Sequence, residues 1–313
     1  MDATRKKWYA YQKLGKGYFH LCSDGWKEGC LFYTDAQYAS GMCTMALVTR
    51  LFPVVVYAFE LMSNHIHVVL SGTGRDCCHA FFYIRKRISS RLKRDGYPPL
   101  PHNYDFKLIP IENVRQMMSN LLYLARNPYE RALAVPGTYP WGSSYLYYSM
   151  IYKNLAAKRV GDIPLRAVNR LTGSRLNLPE DWLVNPDLGI LPVSFVDTSL
   201  FYKLFKTPKE YNTRLVKDYE SFAGIASSLG EAGQADPTEV KDMTRMLLQN
   251  YFGGRDIRQL ERQDKYRLAA MLNRRFGIDS GMVAQATGLP ENIVRQVLAS
   301  KDFGTRTRQP EMH

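Results

Sequence analysis

The chain has 313 residues, 45% of them hydrophobic, enough for two domains or for one domain with a large extension. Lysine and arginine outnumber aspartate and glutamate 42 to 29, a formal net charge of +13 at pH 7, which favours polyanionic partners, nucleic acid first, and is silent on fold. The first residues are polar and basic without an apolar signal core, and no run reaches the ~18–20 apolar residues of a membrane helix, so a cytosolic protein is expected. The five cysteines (Cys22, Cys30, Cys43, Cys77, Cys78) form no CxxC pair and are odd in number, which reads as reduced thiols. Cys77-Cys78-His79 makes a poor metal clamp, because adjacent cysteines chelate badly.

In chain order, Gly17 to Ser23 and Cys30 to Tyr33 read as short strands, and Asp35 as the cap of a helix reaching Arg50. Val54 to Glu60 is a β-branched run, Leu61 to Asn64 a turn, and His65 to Ser71 the next strand. A helix follows from about Asp76 to Arg94, ended by Gly96 and three prolines; Phe106 to Ile109 is a short strand. A further helix runs from Ile111 to Arg126, with Pro128 as its stop. This is an α+β pattern with an antiparallel sheet and helices packed on it. Residues 157–197 read as irregular, Gly224 to Pro237 as a linker, and the remainder as helical and basic. Three segments are expected: 1–154, a connecting region 155–237, and a helical domain 238–313.

Two local patterns carry chemistry. In His65-Ile66-His67, strand alternation sends both imidazoles to one face, while Ile66, Val68 and Leu70 take the other. Paired imidazoles suit a metal ion, although His-x-His in a strand is more often incidental. On the helix after Ile111, Val114, Met117, Leu121 and Leu124 form an apolar stripe. Gln116, Asn120, Tyr123 and Asn127 form a polar one at spacings of four, three and four. If that polar stripe lies against the histidine strand, a phenol and an amide meet the two imidazoles.

The run Phe59-Glu60-Leu61-Met62-Ser63-Asn64-His65-Ile66-His67-Val68-Val69-Leu70 resembles the HUH motif of the single-tyrosine transposases, and most of all their REP-associated branch. Tyr123-Leu124-Ala125-Arg126-Asn127-Pro128 continues the resemblance, as does Tyr139-Pro140-Trp141-Gly142-Ser143-Ser144-Tyr145, similar to the family's Tyr-Pro-Trp-Ser-Ser-Tyr box. It covers roughly residues 15–150. Ser63 departs from the family's usual proline, and Tyr129-Glu130-Arg131-Ala132 from its usual Val-Arg-Ala-Gly. The resemblance implies an HUH, ferredoxin-like nuclease core. It also implies Tyr123 as nucleophile, a divalent Mg or Mn ion held by His65, His67 and Asn127, a 5′-phosphotyrosine intermediate in single-stranded DNA, and a homodimer.

Two surfaces are candidates for DNA. The helix to Arg94 sets Phe81, Ile84, Ile88 and Leu92 opposite a basic face of Arg85, Lys86, Arg87, Arg91 and Arg94. Asp279 to Ser300 fits a helix-turn-helix, with Ala284 and Gly288 at the close-packing and turn positions. Leu289, Val294 and Val297 are then buried, and Glu291, Asn292, Arg295 and Gln296 are left for base edges. The aromatic group Tyr139, Trp141, Tyr145, Tyr147 and Tyr148 reads as a packing cluster, with base stacking as the alternative. The competing functional class is a non-catalytic DNA-binding regulator that uses the helix-turn-helix alone.

Overall fold

The structure is a computed structural model that describes residues 3–24, 30–130, 137–148, 155–217, 225, 237–276 and 278–299. Its packing divides the chain into two units: Met1–Pro128 with Ala134–Ile225, and Tyr129–Leu133 with Ala226–His313.

The first unit is built on four antiparallel strands: β1 (Gly17–Ser23), β2 (Val55–Leu61), β3 (Ile66–Gly72) and β4 (Phe106–Ile111), in the order β2-β3-β1-β4. Four helices accompany them: α1 (Ala3–Gln12), α2 (Asp35–Leu51), α3 (Gly74–Arg94) and α4 (Val114–Glu130). Residues opposed across antiparallel strands share a face. The register pairs His20 with Val69 and Ile109, and His67 with Cys22 and Glu60. One face therefore carries Phe19, Leu21, Val68, Leu70, Phe106 and Leu108, and α3 packs there, with Phe81 stacked on Phe106 at 4.1 Å. The other face carries His20, Glu60 and His67, and α4 covers it.

Several details differ from the sequence reading. Cys30 to Tyr33 is not a strand: the N–H groups of Leu31 and Phe32 both donate to Ser63 O, at 2.6 and 3.2 Å, and pin the loop to the β2–β3 turn. Thr34, not Asp35, caps α2, its side chain accepting from the Gln37 N–H. Pro128 does not stop α4 but lies inside it, since a late-helix proline forfeits only its own N–H bond. Val114, expected in the apolar stripe, is 63% exposed.

Residues 157–197 are not irregular. They form strands β5 (Lys158–Arg159), β6 (Leu183–Asn185) and β7 (Gly189–Ile190) in one antiparallel sheet, and helix α5 (Leu165–Thr172). Val160, Val168, Trp182, Val184 and Ile190 bury against Cys43 and Ala46 of α2. A Cβ on Gly189 would lie 2.6 Å from Ala39 O, so β7 approaches α2 as closely as only glycine permits. Helices α6 (Ser199–Leu204) and α7 (Pro208–Lys217) follow. Residues 155–225 thus group with the N-terminal unit. Most of the expected linker, Gly224 to Pro237, lies outside the described residues.

The second unit contains α8 (Pro237–Tyr251), α9 (Arg262–Phe276), α10 (Ser280–Thr287) and α11 (Glu291–Ala299) around Val240, Met243, Leu247, Leu268, Leu272, Ile278, Val283 and Val294. Asp279 caps α10 by accepting from the N–H groups of Gly281 and Met282 at 2.9 and 3.0 Å. Gly288, at φ +66°, makes the left-handed turn into α11. Leu289, Val294 and Val297 are buried. No helix among the described residues is long and apolar enough to cross a membrane.

Candidate active site

The α4–sheet interface is polar. Strand alternation in β1 and β3 and the stripe along α4 bring His20, His67, Asn120, Tyr123 and Asn127 together, all buried, with His65 just before β3. The His65 and His67 ring centroids are 4.7 Å apart, and the Tyr123 ring lies 5.4 Å from His67 and 5.9 Å from His20. The four residues singled out in the sequence therefore meet in one buried cluster, called the pocket below.

With His20 neutral, a directional chain of hydrogen bonds sets the imidazole tautomers. The Asn120 Nδ2–H donates to Gln116 O at 2.8 Å, so Asn120 Oδ1 must accept, and it does so from His20 Nδ1–H at 2.6 Å. A neutral His20 then offers a lone pair at Nε2, which accepts from His67 Nδ1–H at 3.1 Å. His67 Nε2 is left with a lone pair, facing the Asn127 amide N–H at 3.3 Å. His65 is oriented in the same way: its Nδ1–H donates to Asn64 Oδ1 at 2.6 Å, which leaves a lone pair on Nε2. Such outer hydrogen bonds are what orient metal-binding imidazoles. Asn127 Oδ1 is buried and makes no hydrogen bond among the described residues. A buried oxygen without a donor is costly, and a cation satisfies it. His65, His67 and Asn127 are the residues that would hold a divalent ion, once the Asn127 amide turns its N–H away from His67 Nε2 and its oxygen toward it. Among the described residues, no three His, Cys, Asp or Glu side chains form a metal-holding group.

Beside His67 in register, Glu60 is fully buried. Its Oε1 accepts from Ser144 N–H at 3.2 Å, and its Oε2 has no partner among the described residues. Burial pushes its carboxyl up to about 8, so it is protonated at neutral pH. Its partner loop comes from the aromatic box. A Cβ on Gly142 would fall inside the Glu60 carboxyl group, so the glycine inserted in Tyr139-Pro140-Trp141-Gly142-Ser143-Ser144-Tyr145 makes room for Glu60.

The other expected site residues lie apart from this pocket. On α3, across the sheet, Arg85 donates to the carbonyls of Pro101 and His102, Arg87 to Thr44, Thr172 and Gly173, and Arg91 to Asp95. Lys86 and Arg94 are exposed. In the second unit, Asn292, Arg295 and Gln296 are exposed on α11, and Glu291 is tied to Arg295 at 2.7 Å. Tyr139, Trp141, Tyr145 and Tyr147 are buried; Trp141 stacks on Tyr38 at 5.0 Å and Tyr147 on Phe201 at 3.9 Å, so these four rings are core. Sequence reasoning passed over His20, Glu60 and Asn64. Only the even spacing of His20 along β1 hinted at its face.

No protein-family model matches the chain, and no curated protein matches it in sequence. One solved structure that is similar to it is that of a REP-associated tyrosine transposase bound to a REP hairpin. The identity is 16%, the likeness covers 42% of this chain and 79% of that one, and the TM-score is 0.35. A likeness of that size carries no argument about this chain.

Proposed function

We propose that the chain is a metal-dependent enzyme of the single-tyrosine HUH transposase type, which breaks and rejoins single-stranded or hairpin DNA through a tyrosine link. The observation that carries this reading is the meeting of Tyr123, His65, His67 and Asn127 in one buried cluster, with the imidazoles oriented by hydrogen bonds from Nδ1. Tyr123 Oη bonds to phosphorus, the P–O3′ bond breaks, the phenol gives up its proton and the departing 3′ oxygen gains one. The products are a 5′-phosphotyrosine and a free 3′-OH. The link retains the phosphodiester's free energy, so another 3′-OH reverses the step without ATP. His65, His67 and Asn127 would hold a Mg or Mn ion, which would supply positive charge against the phosphate. His20 holds His67 in the tautomer that keeps Nε2 unprotonated. In the same reading, α10 and α11 form a helix-turn-helix that docks on duplex DNA through Asn292, Arg295 and Gln296, and the enzyme works as a homodimer.

One observation favours a second reading. Tyr123 is 1% exposed and His67 is fully covered, so a phosphate reaches them only if α4 moves from the sheet. A regulator that binds DNA through α10–α11 alone needs no such opening. The test is incubation with labelled hairpin oligonucleotides and Mg or Mn, followed by denaturing electrophoresis. A covalent adduct that Tyr123→Phe abolishes, with DNA binding retained, supports the enzyme. Binding without any adduct leaves the regulator.

A further inference from the structure

Across the sheet from Tyr123, α3 and α5 enclose a groove of about 370 Å³. Lys86, Arg87, Arg91 and Arg94 line it from α3 and Arg170 from α5, and no acidic side chain among the described residues lines it. Arg87 is the fixed element. Its guanidinium donates to Thr44 Oγ1 at 3.2 Å, Gly173 O at 3.0 Å and Thr172 O at 2.5 Å. Those neutral acceptors hold it in place without cancelling its charge. Arg91 is balanced by Asp95 at 2.6 Å. Lys86, Arg94 and Arg170 are exposed, and among the described residues none of them makes an ion pair. Asp95 offsets part of the Arg94 charge, and Arg91 and Arg170 also border a neighbouring cavity that holds Asp35 and Asp187; the excess of positive charge left in the groove repels itself and is relieved by an anion. Lys86 and Arg94 stand two helical steps of four apart, ~12 Å along the axis, which suits a linear polyanion better than a single ion.

We propose that this groove is a second nucleic-acid site, which holds the phosphodiester backbone of a stretch of DNA other than the one being cut. The choice of DNA as the polyanion rests on the reading of the Tyr123 pocket; the groove itself does not. Because the sheet lies between groove and pocket, one phosphate cannot serve both, and the groove anchors flanking DNA. One wall of it, the end of α5 and the Thr172–Ser174 turn, comes from the segment beyond residue 150.

The experiment uses the full chain and a fluorescent hairpin oligonucleotide with single-stranded flanks, with affinity read by anisotropy from 50 to 300 mM NaCl. Each phosphate that the protein ceases to neutralise lowers the slope of log affinity against log salt by ~0.7–0.9. Lys86→Glu with Arg170→Glu is expected to weaken binding at least about tenfold and to lower that slope by ~1.5 or more. The milder Lys86→Gln with Arg170→Gln should shift both in the same direction. Unchanged affinity and slope in both variants would overturn the proposal, as would polyglutamate competing as well as DNA of equal charge. Failure of the Tyr123 reading shows separately, as the absence of a covalent adduct from the unaltered chain, and leaves the salt slopes able to decide the groove.

Discussion

Glu60→Gln isolates the least comfortable group at the edge of the pocket. The carboxyl is buried with no cation paired to it among the described residues, one oxygen accepts from Ser144 N–H, and burial raises its folded value to about 8 against an ordinary 4.5. The folded state therefore binds this proton more tightly than the unfolded chain does. The stability it contributes is fully present below pH 4.5 and is lost as pH rises through about 8. At ~1.4 kcal/mol per pH unit, wild type should lose ~3 kcal/mol between pH 5.5 and 8.5 through this group alone. Glutamine keeps the shape and the acceptor for Ser144 N–H but cannot ionise. Every other titrating group is shared, so the difference between the two proteins reports Glu60. Urea unfolding followed by tryptophan fluorescence reads the right unit, because Trp8, Trp26, Trp141 and Trp182 all belong to the first unit. The stability of Glu60→Gln relative to wild type should climb by ~3 kcal/mol across that window. Parallel pH profiles would refute the reasoning, and a wild type that gains on the variant with pH would mean a cation sits beside the carboxylate.

Gly142→Ala places a methyl inside the Glu60 carboxyl and should cost ~3 kcal/mol or more in urea unfolding; adding Glu60→Ala should recover part of that cost, a non-additivity expected of touching residues. His20→Ala frees the His67 ring to change tautomer and should weaken Mn(II) binding, followed by electron paramagnetic resonance, by ~10–100-fold. His20→Gln, whose side-chain oxygen can accept from His67 Nδ1–H, should weaken it less. Arg87→Ala removes the three bonds that tie α3 to α2 and to the end of α5 and should destabilise the first unit by ~2–3 kcal/mol. An Arg87→Ala change under about 0.5 kcal/mol, within the range of an ordinary surface substitution, would show those bonds to be replaceable by water.

What the sequence disclosed was local. A period of two placed His65 and His67 on one face, and a period near 3.6 placed Asn120, Tyr123 and Asn127 on another, because each depends only on neighbours in the chain. Which helix stripe turns inward is not local. Hydrophobicity assigns the core to a stripe of which Met117, Leu121 and Leu124 are indeed buried and Val114 is exposed, but Asn120, Tyr123 and Asn127 of the polar stripe are buried as well, because the sheet beneath them presents His20 and His67. His20 joins the pocket only through the register of β1 against β3. The small sheet of β5, β6 and β7 escaped notice because strands of two or three residues carry no measurable alternation. The aromatic box was legible as a motif, but its glycine makes sense only once Glu60 is seen against it.

The pocket makes sense as a site because it is a poor core. Apolar side chains at His20, His67, Asn120 and Asn127 would pack without leaving unsatisfied groups, whereas a buried oxygen lacking a donor costs ~1–3 kcal/mol. The hydrogen-bond chain that starts at Gln116 O runs in one direction only, so it delivers a lone pair, not a proton, to the inner edge of His67. Asn64 does the same for His65, and Asn127 adds an oxygen with nothing to accept from among the described residues. In the proposed reading the Asn127 amide turns its N–H away from His67 Nε2, and the two imidazoles and the amide oxygen are then complementary to a positive ion, with the phenol beside them complementary to the phosphate such an ion attracts.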